Sequence, residues 1–212
     1  HVGRRSTQVR KRQPVMSGVD HSLEHNNRGH VCDWTLNYFR TTHGCKTFLD
    51  IGAGVGLNCA WAERNHGYTS TGIEADGICE KIHDDIVIHN FVSDGVCKFD
   101  RTFDLGWSVA TSEHIDEVAA DDYVQTFLAC KTVVFTWCPP GYAGHHHVNC
   151  QHQPYWINRF EKHGFVFDQS LSALVAGNCR LRMVKGLDKE RKSVPKGYLR
   201  DWATVFHNPR IT

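Results

Sequence analysis

The chain has 212 residues, 41% of them hydrophobic, with 24 Lys and Arg against 23 Asp and Glu and a formal net charge of +1. That length suits one domain with a sizeable core, and the near-neutral balance excludes an overall field that would gather nucleic acid or anionic membrane. No run of 18 apolar residues and no signal-peptide core is present, and the nine cysteines include no C-x-x-C pair. These features predict a cytoplasmic protein with reduced thiols, no membrane span, no disulfide framework and no structural zinc knuckle. A start at His1 rather than Met fits a segment of a larger polypeptide.

In chain order, residues 1–14 carry Arg4, Arg5, Arg10, Lys11 and Arg12 without an acid and read as a flexible basic arm. Residues 15–186 read as the domain, and 187–212 as a C-terminal extension packed on it. Val31, Trp34, Tyr38 and Phe39 recur at helical spacing, so Gly29–Thr42 is expected to be a helix stopped by Gly44. Thr47–Ile51 is an apolar run bounded by glycines, the pattern of a buried parallel strand. Gly52, Gly54 and Gly56 then alternate with Ala53 and Val55. So dense a glycine turn lets a backbone approach a ligand closely, and a helix over Leu57–Asn65 would aim its first N–H groups at the same space. Ser70–Ile73 is a second short strand, ending in Glu74, whose carboxylate can accept from both hydroxyls of a ribose.

Three cradles share that outline. A phosphate-binding P-loop needs a closing Gly-Lys-Ser/Thr, which the sequence lacks. The dinucleotide fingerprint needs its third small residue where Leu57 stands. The spacing Asp50-x-Gly52-x-Gly54-x-Gly56 instead resembles motif I of the class I S-adenosylmethionine (SAM)-dependent methyltransferases. The resemblance implies an α/β, Rossmann-like doubly wound sheet of seven strands with an antiparallel last strand. It implies SAM as cofactor, held by Asp50, Gly52, Ala53, Gly54, Gly56 and Glu74. Asp50 would orient the loop or reach the methionine amino group through water, or act only as a turn acid.

Strands are further expected over Asp85–His89, Asp104–Val109 and Lys131–Trp137, with Phe165–Leu171 and Cys179–Val184 as a closing pair, the latter as the antiparallel strand. Helices are expected around Asp76–His83, Glu113–Val118, Asp121–Cys130 and Tyr155–His163. Asn90 stands where members of the family read the adenine edge, and an amide suits that task. Phe91 beside it either stacks on the base or belongs to the core; Trp107 and Trp137 are read as core, and Trp156 as core or rim.

Phe103–Ile115 (FDLGWSVATSEHI) resembles the stretch that ends the fourth strand beside SAM in these enzymes, which places Ser108 through His114 at the mouth of the site and makes Ser108 a cofactor contact. In some relatives, among them small-RNA 2′-O-methyltransferases, a Glu-x-x-Glu-His pattern binds a divalent metal together with a further His. Here Glu113, His114 and His146 are the corresponding candidates, but the earlier Glu position is Ala110, so no metal is assigned.

A third segment, Cys138-Pro-Pro-Gly-Tyr-Ala-Gly-His-His-His-Val-Asn-Cys-Gln151, resembles a loop of little-characterised methyltransferases of bacterial and phage-like type. Histidines near neutral pKa can take a proton from an acceptor, so His114, His146 and His147 are the candidate catalytic residues. In an extended segment His145 and His147 would face one way and His146 the other; the alternative is that the imidazoles only hold the loop.

The expected activity is methyl transfer from SAM to an O or N acceptor, a small molecule or one not yet defined. RNA is the alternative, with the basic arm and Lys185–Arg200 as a positive rim. A catalytically silent SAM-binding scaffold and an NAD-dependent oxidoreductase are the readings from other classes.

Overall fold

The structure is a computed structural model that describes residues 29–77, 81–179, 182–184 and 198–212. Its strands are β1 Gly29–Val31, β2 Thr47–Ile51, β3 Thr69–Glu74, β4 Ile86–Ile88, β5 Phe103–Ser108, β6 Cys130–Thr136, β7 Val166–Phe167, β8 Arg182–Val184 and β9 Ala203–His207, and all but β1 and β8 form one central seven-stranded sheet. The order across the sheet is β4-β3-β2-β5-β6-β9-β7. The first five strands in that order pair in parallel, and β9 runs antiparallel to both neighbours. The helices are α1 Asp33–Thr42, α2 Leu57–His66, α3 Phe91–Asp94, α4 Ala120–Thr126, α5 Gln153–Lys162, α6 Gln169–Asn178 and α7 Tyr198–Trp202.

Strands buried on both faces read as continuous apolar runs, and β2 and β6 are built this way. Alternate side chains along each strand feed opposite layers. Phe48, Trp107, Val134 and Val205 join Phe39 of α1 on one face, while Leu49, Phe135 and Phe206 join Trp156 and Phe160 of α5 on the other. Trp107 and Trp156 are fully buried, Phe91 packs edge-on against Tyr123, and all three are core. Trp137 is partly buried, with its ring beside Trp202. No helix among the described residues is long and apolar enough to cross a membrane.

The expected antiparallel last strand exists, but Ala203–His207 supplies it and not Cys179–Val184. Residues 182–184 pair instead with 29–31 in a separate two-stranded sheet, so the helix expected over Gly29–Thr42 begins only at Asp33. Residues 203–207, expected in an extension, lie inside the main sheet. Phe165–Leu171 is strand only over Val166–Phe167, because Asp168 accepts the Leu171 N–H and caps α6 there. Glu113–Val118 forms two 3-10 turns, Ser112–His114 and Glu117–Ala119. Of the helix expected over Asp76–His83, residues 78–80 lie outside the described residues and the flanks are not helical.

Candidate active site

Ligands of open α/β sheets sit beyond the carboxyl ends of the strands. Here β2, β3, β5 and β6 end on one edge, and the glycine turn leaves β2 at Gly52. Gly52, Gly54 and Gly56 have φ of 86°, 58° and 89°, all left-handed. Two of them are also fixed by space: a Cβ on Gly52 would run into the Thr111 side chain, and one on Gly56 would lie 2.6 Å from the His83 Cβ. The turn hangs on β3, because the N–H groups of Gly52 and Ala53 both donate to the Ile73 carbonyl at 2.9 Å.

Glu74 completes the cradle. Its Oε2 accepts from the Gly54 N–H at 2.7 Å and its Oε1 from the Asp76 N–H at 3.0 Å. A carboxylate offers about four acceptor positions, so capacity remains for two hydroxyls. Lys81, which sequence reasoning missed, donates to the carbonyls of Gly54 at 3.0 Å and Asp76 at 2.6 Å and ties the two turns together. Asp50 is buried and accepts from the Asn58 amide at 3.0 Å, joining β2 to the first turn of α2. Burial, reinforced by the Glu74 charge and opposed by the Asn58 hydrogen bond, pushes its pKa up to about 7.

Two other expected cofactor contacts have work elsewhere. The Ser108 hydroxyl lies in the core, 2.9 Å from the Ile51 carbonyl and 2.6 Å from the Tyr123 hydroxyl, so it fastens β5 to β2. Asn90 caps α3, its side-chain oxygen accepting from Val92 at 2.9 Å. An adenine contact from Asn90 would therefore use its amide nitrogen.

The rim facing the cradle is assembled from the loop after β5 and the loop after β6. Ala110, at a left-handed φ of 57°, donates its N–H to the Thr136 hydroxyl at 2.9 Å. The Ser112 hydroxyl donates to the Thr136 carbonyl at 3.0 Å. Beyond it, the Glu113 carbonyl accepts the N–H groups of Val148 and Asn149, and the His114 Nδ1 lies 3.1 Å from the His146 carbonyl. The histidine run is thus not extended: His146 has a φ of 57°, and the three rings do not simply alternate. His145 is exposed, while the His147 side chain is only 8% exposed and turned inward.

His147 Nε2 faces the fully buried Glu113 carboxylate at 4.0 Å. Its ring meets that of His114 edge-on, with centroids 5.1 Å apart. The donor cluster that contains Glu113 and His114 therefore takes His147 as its third member, where the sequence pointed to His146. A second cluster joins the other side of the same ring to Cys138 and Cys150.

No protein-family profile and no curated protein matches the sequence. Solved structures do. The small RNA methyltransferase HEN1 is similar at 12% identity and a TM-score of 0.51, over 84% of this chain and 24% of that one. The 1,6-didemethyltoxoflavin-N1-methyltransferase of Burkholderia thailandensis is similar at 14% identity and a TM-score of 0.49, over 82% and 75%. For phosphoethanolamine N-methyltransferase 2 of Haemonchus contortus the figures are 14% and 0.44, over 57% and 33%. This chain thus spans a third or less of the length of the first and the last of these three proteins. Together with the sheet order, the inserted antiparallel strand and the glycine turn, the likeness to HEN1 shows that the chain has the fold of the class I methyltransferases.

Proposed function

We propose that the chain is a SAM-dependent methyltransferase acting on an O or N acceptor. One observation carries this reading: a left-handed glycine turn at the carboxyl end of β2 that is locked to the acid ending β3, through Gly54 and Glu74. Backbone N–H groups of such a turn suit the methionine carboxylate, and the remaining acceptor positions of Glu74 suit the ribose hydroxyls.

The sulfonium is already activated, so the chain needs only to align an acceptor and exclude water. An acceptor lone pair attacks the methyl carbon. The carbon–sulfur bond breaks, its electron pair stays on sulfur, and S-adenosylhomocysteine results. A hydroxyl acceptor must also lose a proton. His114 is the favoured base: it is exposed, and an Nδ1–H donated to the His146 carbonyl would make Nε2 the basic nitrogen. The inward His147 ring is less suited to that task than the sequence suggested.

Calorimetric titration with SAM, S-adenosylhomocysteine and NAD tests the cofactor: binding of the first two and not of NAD is expected, and the reverse defeats the reading. Incubation with methyl-labelled SAM and pools of RNA, protein and small metabolites then identifies the acceptor. Label transferred to none of the pools would leave a SAM-binding scaffold. The basic arm (1–14) and 185–197 lie outside the described residues, so RNA is tested on the same footing as the small acceptors.

A further inference from the structure

We propose that Cys138, His147 and Cys150 form a binding site for one zinc ion at the rim of the candidate active site. Cys138 lies two residues beyond the end of β6, and the other two ligands lie in the loop that folds back over it. The Cys138 and Cys150 sulfurs are 3.8 Å apart, and His147 Nδ1 is 3.8 Å from the first and 3.7 Å from the second. A tetrahedral zinc with bonds of about 2.3 Å to sulfur and about 2.0 Å to nitrogen sets its ligands about 3.8 Å apart for S···S and about 3.5 Å for S···N. The three donor atoms already form a triangle of nearly that size.

The surroundings suit a cation as well. His147 Nδ1 lies 3.1 Å from the Tyr142 carbonyl, a contact the metal would replace, and Nε2 then faces the buried Glu113 carboxylate at 4.0 Å. Closed to hydrogen-bond distance, the pair would form the carboxylate–histidine–metal arrangement that fixes the tautomer and raises the basicity of the ligand. The loop is shaped for the inward ring: a Cβ on Gly144 would occupy the space of the His147 imidazole. A zinc ion there would balance the buried Glu113 carboxylate. Two thiolates and an imidazole select a softer ion than the magnesium or manganese that a carboxylate and two histidines would take. Three protein ligands leave a fourth position for water or acceptor, and the ion would clasp the loop across the rim.

The test uses the full chain. After loading with Zn²⁺ and removal of excess, elemental analysis is expected to find about one zinc per chain. The Cys138→Ser/Cys150→Ser double variant should hold at most about a tenth of that. Loading the unaltered chain with Co²⁺ gives a readout that needs no variant: thiolate-to-cobalt charge transfer and the intense visible bands of a tetrahedral ion are expected. Glu113→Gln should weaken zinc affinity about 10–100-fold without removing the cobalt–thiolate band. The pale spectrum of an octahedral cobalt without charge transfer would overturn the site. So would zinc retained in full by the double variant, or a Cys138–Cys150 disulfide that persists in the zinc-loaded protein.

Discussion

The cofactor cradle and the histidine rim meet at Thr111, whose side chain fills the space beside Gly52 and whose carbonyl accepts the His114 N–H. They are built from different materials. The cradle is backbone: left-handed glycines, N–H groups hung on the Ile73 carbonyl, and one carboxylate. The rim is side chains brought together from Glu113, in the 3-10 turn after β5, and from Cys138, His147 and Cys150 in the loop after β6. A backbone site tolerates no new side chain, whereas a side-chain site tolerates little change in its chemistry. Variants on the two sides should therefore fail in different ways.

The sharpest break is at the junction. Gly52→Val combines a left-handed φ with a Cβ driven into Thr111, and strain plus overpacking predicts a loss of stability on the order of 2–6 kcal/mol. Because Thr111 leads into the rim, both halves should suffer, which chemical denaturation would record. Gly54→Val shares the left-handed φ, and if the turn holds SAM as proposed it should lose about 100-fold or more in SAM affinity, roughly 3 kcal/mol. A well-folded Gly54→Val chain that binds SAM normally would remove the cradle from the cofactor.

The rim should show the opposite pattern. His114→Ala is expected to lower turnover of a hydroxyl acceptor about 10²–10⁴-fold while SAM affinity stays within about twofold. Equal losses in both quantities would assign the ring to holding the loop.

The cradle was legible in the sequence because backbone conformation restricts residue identity at consecutive positions. Three left-handed turns in five residues demand glycines, and the apolar run before them demands a buried strand. The rim was half legible. The histidine run and Glu113 stood out, but only the path of the loop decides that His147 and not His146 turns inward. Cys138 and Cys150 stand twelve positions apart, too far for a short zinc motif, although His147-x-x-Cys150 was a usable signal. The last strand is missed because residues 187–212 read as an extension and Cys179–Val184 as the closing strand. The β-branched, apolar Ala203-Thr-Val-Phe run, buried throughout, carried the strand signal. At Asp168 the apolar periodicity misled, and the cap that starts α6 was the better guide.

Asp50 allows the cradle to be read by pH. Its folded pKa, raised to about 7, lies above the ordinary carboxyl value of about 3.9. Between these values the folded chain keeps a proton that the unfolded chain has released, so stability falls as pH rises from about 4 to about 7 and then levels. Three pH units at about 1.4 kcal/mol each bound the effect at about 4 kcal/mol. Asp50→Asn has no such proton to lose, and its denaturation midpoint should change less over that range. Parallel pH profiles for the two proteins would place the charge of Asp50 outside the stability balance.

Glu74 gives the smallest expected effect and the finest distinction, because it serves the fold and the ligand with the same oxygens. Glu74→Ala removes the acceptor for Gly54 and Asp76 and should weaken SAM binding by about 1.5–3 kcal/mol, the range for hydrogen bonds to a charged group. Some of that loss would come from a slackened turn and some from the ribose. Glu74→Gln separates them. Its one remaining oxygen can still accept the Gly54 N–H, while its amide repels the Asp76 N–H and offers the ribose no anionic partner. If the carboxylate chiefly shapes the turn, Gln should recover much of the thermal stability of the unliganded chain and most of the SAM affinity together. If it chiefly holds the ribose, stability should return and affinity should not. Measuring both quantities for both variants decides whether the acid at the end of β3 belongs to the backbone side of the comparison or to the chemistry of the ligand.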